Sequence, residues 1–178
     1  MPGVTQTDRH AAEKSALRAE VRGKIAALPE DYIRRSDGAI RDKILNLPEV
    51  RGAQRVFTYF SVGREVDTRG IIQTLGAWGK KIALPVVRGK GLMTFADIAE
   101  MDIADRAAVL VPGPGDILLV PALCYDRQNH RLGQGGGYYD RYLANCPAAS
   151  LGLCRRELLF DRLPAERHDL PVDLVVTD

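Results

Sequence analysis

Residues 116–141 read DILLVPALCYDRQNHRLGQGGGYYDR, and their order decides the fold class. From Asp116 to Leu123 the stretch shows no polar alternation, the pattern of a strand buried on both faces in a sheet with helices on each side. The loop Cys124–Gly137 follows, with four glycines in five positions, Gly133 and Gly135 to Gly137. Glycine is costly in chain entropy, so such density belongs where φ must be positive or backbone must approach something closely. A helix is predicted from Tyr138 to Ala144. Apolar strand, glycine loop and helix start in succession is an arrangement that presents backbone N–H groups to a phosphate. A tight, flexible surface turn is the other reading this pattern allows.

Outward from this stretch, strands and helices alternate. Leu17, Val21, Ile25 and Leu28 recur at helical spacing, predicting a helix over about 7–28 with Thr7 or Asp8 as cap and Pro29 as stop. Lys14, Arg18 and Arg22 recur every four residues and form a basic ridge beside that stripe. Such a ridge is either a solvated face or a set of cations reaching into a cleft. A second helix, from Glu30 or Asp31 to Leu47, turns Ile33, Ile40 and Ile44 inward and ends at Pro48. Arg55–Phe60 reads as a strand, and Asp67 or Thr68 caps a helix through Ile71, Ile72 and Leu75 that stops near Gly79. Lys81–Val87, the short Leu92–Phe95, Ser150–Leu153 and Leu174–Val176 are the remaining strands, and 96–115 has no clear period. Alternation of this kind predicts one α/β domain over 1–178, with a flexible lead at 1–6 and a mostly parallel central sheet between helices on both faces, three layers in all. In such sheets ligands bind at the carboxyl ends of the strands, where Glu65 and the glycine loop both fall.

Composition bounds the function. The chain has 178 residues with 27% charged and 46% hydrophobic side chains, yet its net charge is only +2. That balance makes no case for nucleic acid or an anionic membrane as partner. Cys124, Cys146 and Cys154 form no Cys-x-x-Cys pair and no zinc spacing, so free thiols in a reducing compartment are expected. The polar start MPGVTQTDRH lacks a signal-peptide core, and no apolar run is long enough to span a bilayer. A cytoplasmic monomer is the expectation.

The glycine loop fits neither familiar nucleotide motif. In G-x-G-x-x-G the third glycine would fall at Tyr138, and GAWGKK at 76–81 lacks the hydroxyl residue of a Walker loop. No Ser-His-Asp or Cys-His arrangement is signalled, and His130 and His168 lie in polar loops. Arg131 can meet phosphate oxygens bidentately. Asp140 beside phosphates suits magnesium, which takes one or two carboxylates with phosphate oxygens and water. Tyr138 or Tyr139 offers an aromatic face. These residues point to a nucleotide-phosphate site of unfamiliar type.

The glycine motif and five further segments then carry a resemblance. RLGQGGGYYDRYL (131–143) resembles the signature of the 5-formyltetrahydrofolate cyclo-ligases, also called 5,10-methenyltetrahydrofolate synthetases. KSALR (14–18), FSVGREVDT (60–68), and then KKIALPVV, LLVPALCYD and HDLPVDLVVTD are similar to that family along most of the chain. The resemblance implies an ATP- and magnesium-dependent ring closure. ATP phosphorylates the formyl oxygen of 5-formyltetrahydrofolate, N10 attacks the activated carbon, and phosphate leaves to give 5,10-methenyltetrahydrofolate. It implies ATP contacts from Lys14, Ser15, Ala16, Leu17 and Arg18, and from Arg131, Leu132, Gly133, Gln134, Gly135, Gly136, Gly137, Tyr138 and Tyr139. It implies catalytic roles for Arg131, Tyr138 and Asp140, and magnesium ligation by Asp140 and Asp169. The folate would meet Phe60, Glu65, Gln134 to Gly137 and Tyr138. A catalytically silent relative that binds nucleotide or folate is the alternative. An RNA-binding role for the ridge lacks interleaved aromatics. Three departures stand out. Gln134 occupies a position where the family often has a basic residue, VPGPGD replaces an acidic-proline pair, and CRRELLF lacks the glutamine usual after that strand.

Overall fold

The structure, a computed structural model, describes residues 6–89, 92–103, 107–166 and 169–178. The lead at 1–5 and His168 lie outside the described residues. Five helices are described: α1 (Gln6–Ala27), α2 (Glu30–Asn46), α3 (Pro48–Gly52), α4 (Arg69–Ala77) and α5 (Tyr138–Leu143). The strands are β1 (Arg55–Phe57), β2 (Lys81–Gly89), β3 (Leu92–Asp97), β4 (Ile117–Val120) and β5 (Cys124–Asp126), then β6 (Arg131–Leu132), β7 (Ala149–Cys154), β8 (Leu159–Phe160) and β9 (Leu174–Thr177).

Six of these strands form the central sheet in the order β3-β2-β1-β4-β7-β9. Every pairing in it is parallel except β2 with the edge strand β3. β4, the strand without polar alternation, lies between β1 and β7, and all four of its residues are buried. Its side chains go alternately to two cores. Ile117 and Leu119 meet Ile40 and Ile44 of α2, Val50 of α3 and Ile71 and Leu75 of α4. Leu118 and Val120 meet Val21 of α1, tyrosines of α5 and the second sheet. The three-layer expectation holds.

Where both faces are apolar, polarity cannot set the strand register, and shape must. Val120 pairs with Gly152 of β7. A Cβ at Gly152 would lie 2.4 Å from the ring of Tyr125, which is fully buried and donates its hydroxyl to the Val120 carbonyl at 2.6 Å. Only glycine fits under that ring.

Several local readings change. Gln6 already begins α1, so Thr7 and Asp8 lie inside the helix and cannot be its N-cap. Pro48, read as a stop, also opens α3 at its first turn, where its missing N–H is harmless. Thr68 stands at the N-cap of α4, where its carbonyl accepts from Ile72 N at 2.8 Å, but its side chain does not cap the helix. Its hydroxyl turns inward to the Tyr59 carbonyl at 2.7 Å and accepts from Ser61 N at 3.0 Å, while Asp67 Oδ1 takes Arg69 N at 3.1 Å. The strand at 55–60 therefore leaves its ladder after Phe57, because Tyr59 and Ser61 are held by Thr68. The region 124–137 is not one loop. It holds a hairpin of β5 and β6 turned at Asn129, whose φ is 65°, with β8 alongside as a second, three-stranded sheet. Fully buried Asp126 ties it, accepting from the backbone N–H groups of Gln128, His130 and Leu163 at 2.9 Å.

Candidate active site

The carboxyl ends of β1, β4 and β7 open into one cleft with two chambers. The larger, of about 770 Å³, is lined by Lys14, Arg18, Arg131, the whole loop Gly133–Gly137, Tyr138, Tyr139, Asp140 and Asp169. The smaller, of about 350 Å³, is mostly apolar, with Val62, Val66, Leu123, Leu153 and Leu158 on its wall and Arg22 and Arg64 at its edge. Glu65, Ala122 and Gln134 line both, so the chambers meet at these residues.

The helical spacing of α1 brings its ridge onto the glycine loop. Arg18 Nε donates to the Gly133 carbonyl at 2.9 Å, and Arg22 Nη2 donates to Gln134 Oε1 at 2.9 Å. The cation missing from the loop at Gln134 is thus brought to it by α1. Lys14 Nζ donates to Asp169 Oδ2 at 2.5 Å and to Glu166 Oε2 at 3.0 Å. Burial works against the Lys14 charge, but the hydrogen bonds and fields of Asp169 and Glu166 outweigh it and hold its pKa above the usual 10.5.

The loop itself is shaped by its glycines. Gly135 (φ 105°) and Gly137 (φ 63°) have left-handed backbones, Gly137 immediately before α5. At Gly136 a Cβ would meet the Tyr138 ring at 2.6 Å. α5 carries Asp140 in its first turn, where it pairs with Arg131 Nη2, while Arg131 Nη1 donates to the Leu170 carbonyl at 2.7 Å. The Arg131 side chain is only 5% exposed. Tyr139 lies between Glu65 and Arg131. Burial first, and then Glu65, push its pKa up, with Arg131 opposing. Its hydroxyl is the buried side-chain polar atom without a hydrogen-bond partner among the described residues.

Most of the residues singled out in the sequence therefore converge: Lys14, Arg18, Glu65, Arg131 to Asp140, and Asp169. Ser15 and Ala16 are exposed and outside the lining, and Leu17 packs into the core. Phe60 is 53% exposed and also outside the lining. Helical geometry explains the first group, since only every third or fourth residue of α1 can face the loop. Sequence reasoning missed Glu166, Arg64 and Arg155. For Arg155 a signal existed: a charged residue directly after the apolar run SLGLC, at the carboxyl end of a parallel strand.

A mostly parallel α/β sheet with a glycine loop, cations and carboxylates at its carboxyl edge defines the class of α/β proteins whose ligand cleft lies at the strand ends. Residues 10–178 match the 5-formyltetrahydrofolate cyclo-ligase family, and the chain belongs to it. A 5-formyltetrahydrofolate cyclo-ligase of Mycolicibacterium smegmatis is 31% identical over 92% of this chain and 93% of its own. Among solved structures, a 5,10-methenyltetrahydrofolate synthetase from Mycoplasma pneumoniae superposes with a TM-score of 0.80 at 25% identity, covering 93% of this chain and 99% of its own. That of Aquifex aeolicus gives 0.79 at 28% identity, covering 92% and 88%.

Proposed function

We propose that this chain closes the ring of 5-formyltetrahydrofolate to 5,10-methenyltetrahydrofolate, with cleavage of ATP to ADP and phosphate. The observation that carries this reading is the two-chambered cleft, a charged glycine-loop chamber joined through Glu65 to an apolar one. A polyanion suits the first and a flat, weakly polar ring system the second.

The formyl oxygen is a poor leaving group. Transfer of the γ-phosphoryl group to it makes phosphate the leaving group. The N10 lone pair then forms the new C–N bond, N10 gives up its proton to water, and the C–O bond breaks to release phosphate. Such chemistry asks for alignment and charge neutralisation more than for a protein nucleophile. Lys14, Arg18 and Arg131 are the cations for the phosphates, with the N–H groups of Gly133–Gly137 around them. In the free protein Lys14 is paired with Asp169 and Glu166, and Arg131 with Asp140. An arriving phosphate takes the cations and leaves the carboxylates facing the same space. Asp140 and Asp169 are hard oxygen donors on one cavity wall, a set that fits Mg²⁺ once phosphate oxygens and water complete the shell. That ion supplies charge neutralisation on the transferring phosphoryl group. Glu65, at the junction of the chambers, hydrogen-bonds the pterin, and Tyr138, on the wall of the charged chamber, contacts the reacting groups; Phe60, outside the lining, takes part only if the folate extends beyond the cleft. The setting is a cytoplasmic monomer acting on small molecules.

Purified protein given Mg-ATP and 5-formyltetrahydrofolate is expected to accumulate the methenyl product, read by its absorbance. Asp140→Asn, which keeps the shape but loses the charge, is expected to lower kcat by about 10²–10³-fold. Absence of product from folded wild type sinks the reading, and calorimetry then tells a silent binding module from a protein with neither ligand.

A further inference from the structure

The segment 62–65 carries Glu65 to the junction of the two chambers, yet it belongs to no strand or helix. Its backbone must be held by something other than a ladder. Gly63 turns it with φ 58°, and Val62 N donates to Glu65 Oε2 at 3.0 Å, so the carboxylate is curled against its own turn. Glu65 N closes the turn on the Val62 carbonyl at 3.2 Å, and the Arg64 side chain ties it to the Ile25 and Leu28 carbonyls and to Glu30. The grip on its own carbonyls comes from Arg155, immediately after the end of β7. Arg155 Nη1 donates to the Arg64 carbonyl at 2.8 Å and Nη2 to the Glu65 carbonyl at 3.1 Å. On its other side Nε donates to Ser36 Oγ at 3.1 Å, and Nη2 pairs with Asp37 at 2.5 Å, both on α2. The side chain is 1% exposed and is the largest fully buried one in the described residues.

A cation buried this deeply is not a packing choice, since an apolar side chain would fill the space without the desolvation cost. What only arginine supplies is a rigid planar fork whose donors reach several acceptors at fixed angles. Here the fork joins two consecutive carbonyls of the Glu65 segment to a helix on one face of the sheet. We infer that Arg155 is a positioning residue: it fixes the Glu65 segment at the mouth of the apolar chamber and so sets the affinity for the formylated folate, without touching the phosphate chamber. This inference rests on the ring-closing reading above. A displacement of about 1 Å in such a wall is enough to weaken a reaction measurably.

Two variants test it. Arg155→Lys keeps a charge for Asp37 but has a single nitrogen that cannot span both carbonyls and α2. The pair Arg155→Met with Asp37→Asn removes both charges, so no buried carboxylate is left unpaired. Each is expected to raise KM for 5-formyltetrahydrofolate about tenfold while KM for ATP stays within about twofold, with the same rise in Kd by calorimetry using 5-formyltetrahydrofolate alone. Unchanged KM and Kd for the folate, or an equal rise for both substrates, overturns the inference. So does loss of the wild-type melting transition in both variants, which reduces Arg155 to a structural role. If wild type binds the folate but does not turn it over, the activity reading fails while the Kd comparison still decides Arg155. If it binds neither substrate, both fail.

Discussion

On the glycine-loop wall of the cleft, Lys14 and Arg131 are paired with Asp169, Glu166 and Asp140 within reach of the cavity. On the facing wall, the Glu65 segment is gripped from behind by Arg155 through contacts that lie out of solvent. Both walls are held by charge, but in opposite ways. The first set of pairs can be exchanged by an incoming polyanion, because its members face the space the polyanion would fill. The second set is closed to such exchange, because Arg155, although it borders the apolar chamber, is 1% exposed and spends its donors on α2 and on the two carbonyls. A site that must admit a highly charged substrate and also align a flat one gains from this division: the charged wall adjusts and the other stays.

Substitutions that strike one wall at a time test this division. Lys14→Met removes an exchangeable cation and is expected to raise KM for ATP by about 10–100-fold, with KM for the folate unchanged in steady-state assays. A matched loss for both substrates would show that the walls are not independent. Glu65→Gln keeps the shape and is expected to raise KM for the folate about tenfold, leaving that for ATP in place. Gly152→Ala strikes neither wall. By forcing a methyl group under the immobile Tyr125 ring it is expected to cost about 1–3 kcal/mol of stability, read as a lower midpoint in urea, while the KM ratio is kept.

The smallest effect concerns the thiols behind the apolar chamber. Burial raises the pKa of Cys124 and of Cys154 to about 12. Deprotonation is therefore favoured only as pH rises through that value. At pH 8 only about one thiol in ten thousand is thiolate. Iodoacetamide at pH 8 is expected to leave both unlabelled in the native protein by mass spectrometry, with half-buried Cys146 the site of any modification. Rapid labelling of Cys124 would show that the apolar wall opens.

The legible and illegible parts of the molecule separate along physical lines. β4, α2 and α4 were readable because a hydrophobic period over several residues has few competing explanations, and their ends moved by only a few positions. β5, β6 and β8 were not, because strands of two or three residues carry no period. They exist because Asp126 collects three N–H groups and Asn129 accepts a left-handed turn. Thr68 holds the N-cap position that its place before a helix suggests, but a strand end competes for its hydroxyl and wins.

The sequence by itself determined the class of sheet, the glycine loop as the candidate ligand site, the acidic and basic residues that gather around it and the family resemblance, since these rest on local pattern and residue type. Tertiary structure alone decided which turn of α1 faces the loop, why Gln134 is tolerated beside Arg22, and how Arg155 reaches the Glu65 segment. The reason is distance along the chain. Arg22 and Gln134 are 112 residues apart, and Arg155 and Glu65 are 90 apart. Contacts over such separations are specified by packing of whole elements, which no local pattern records.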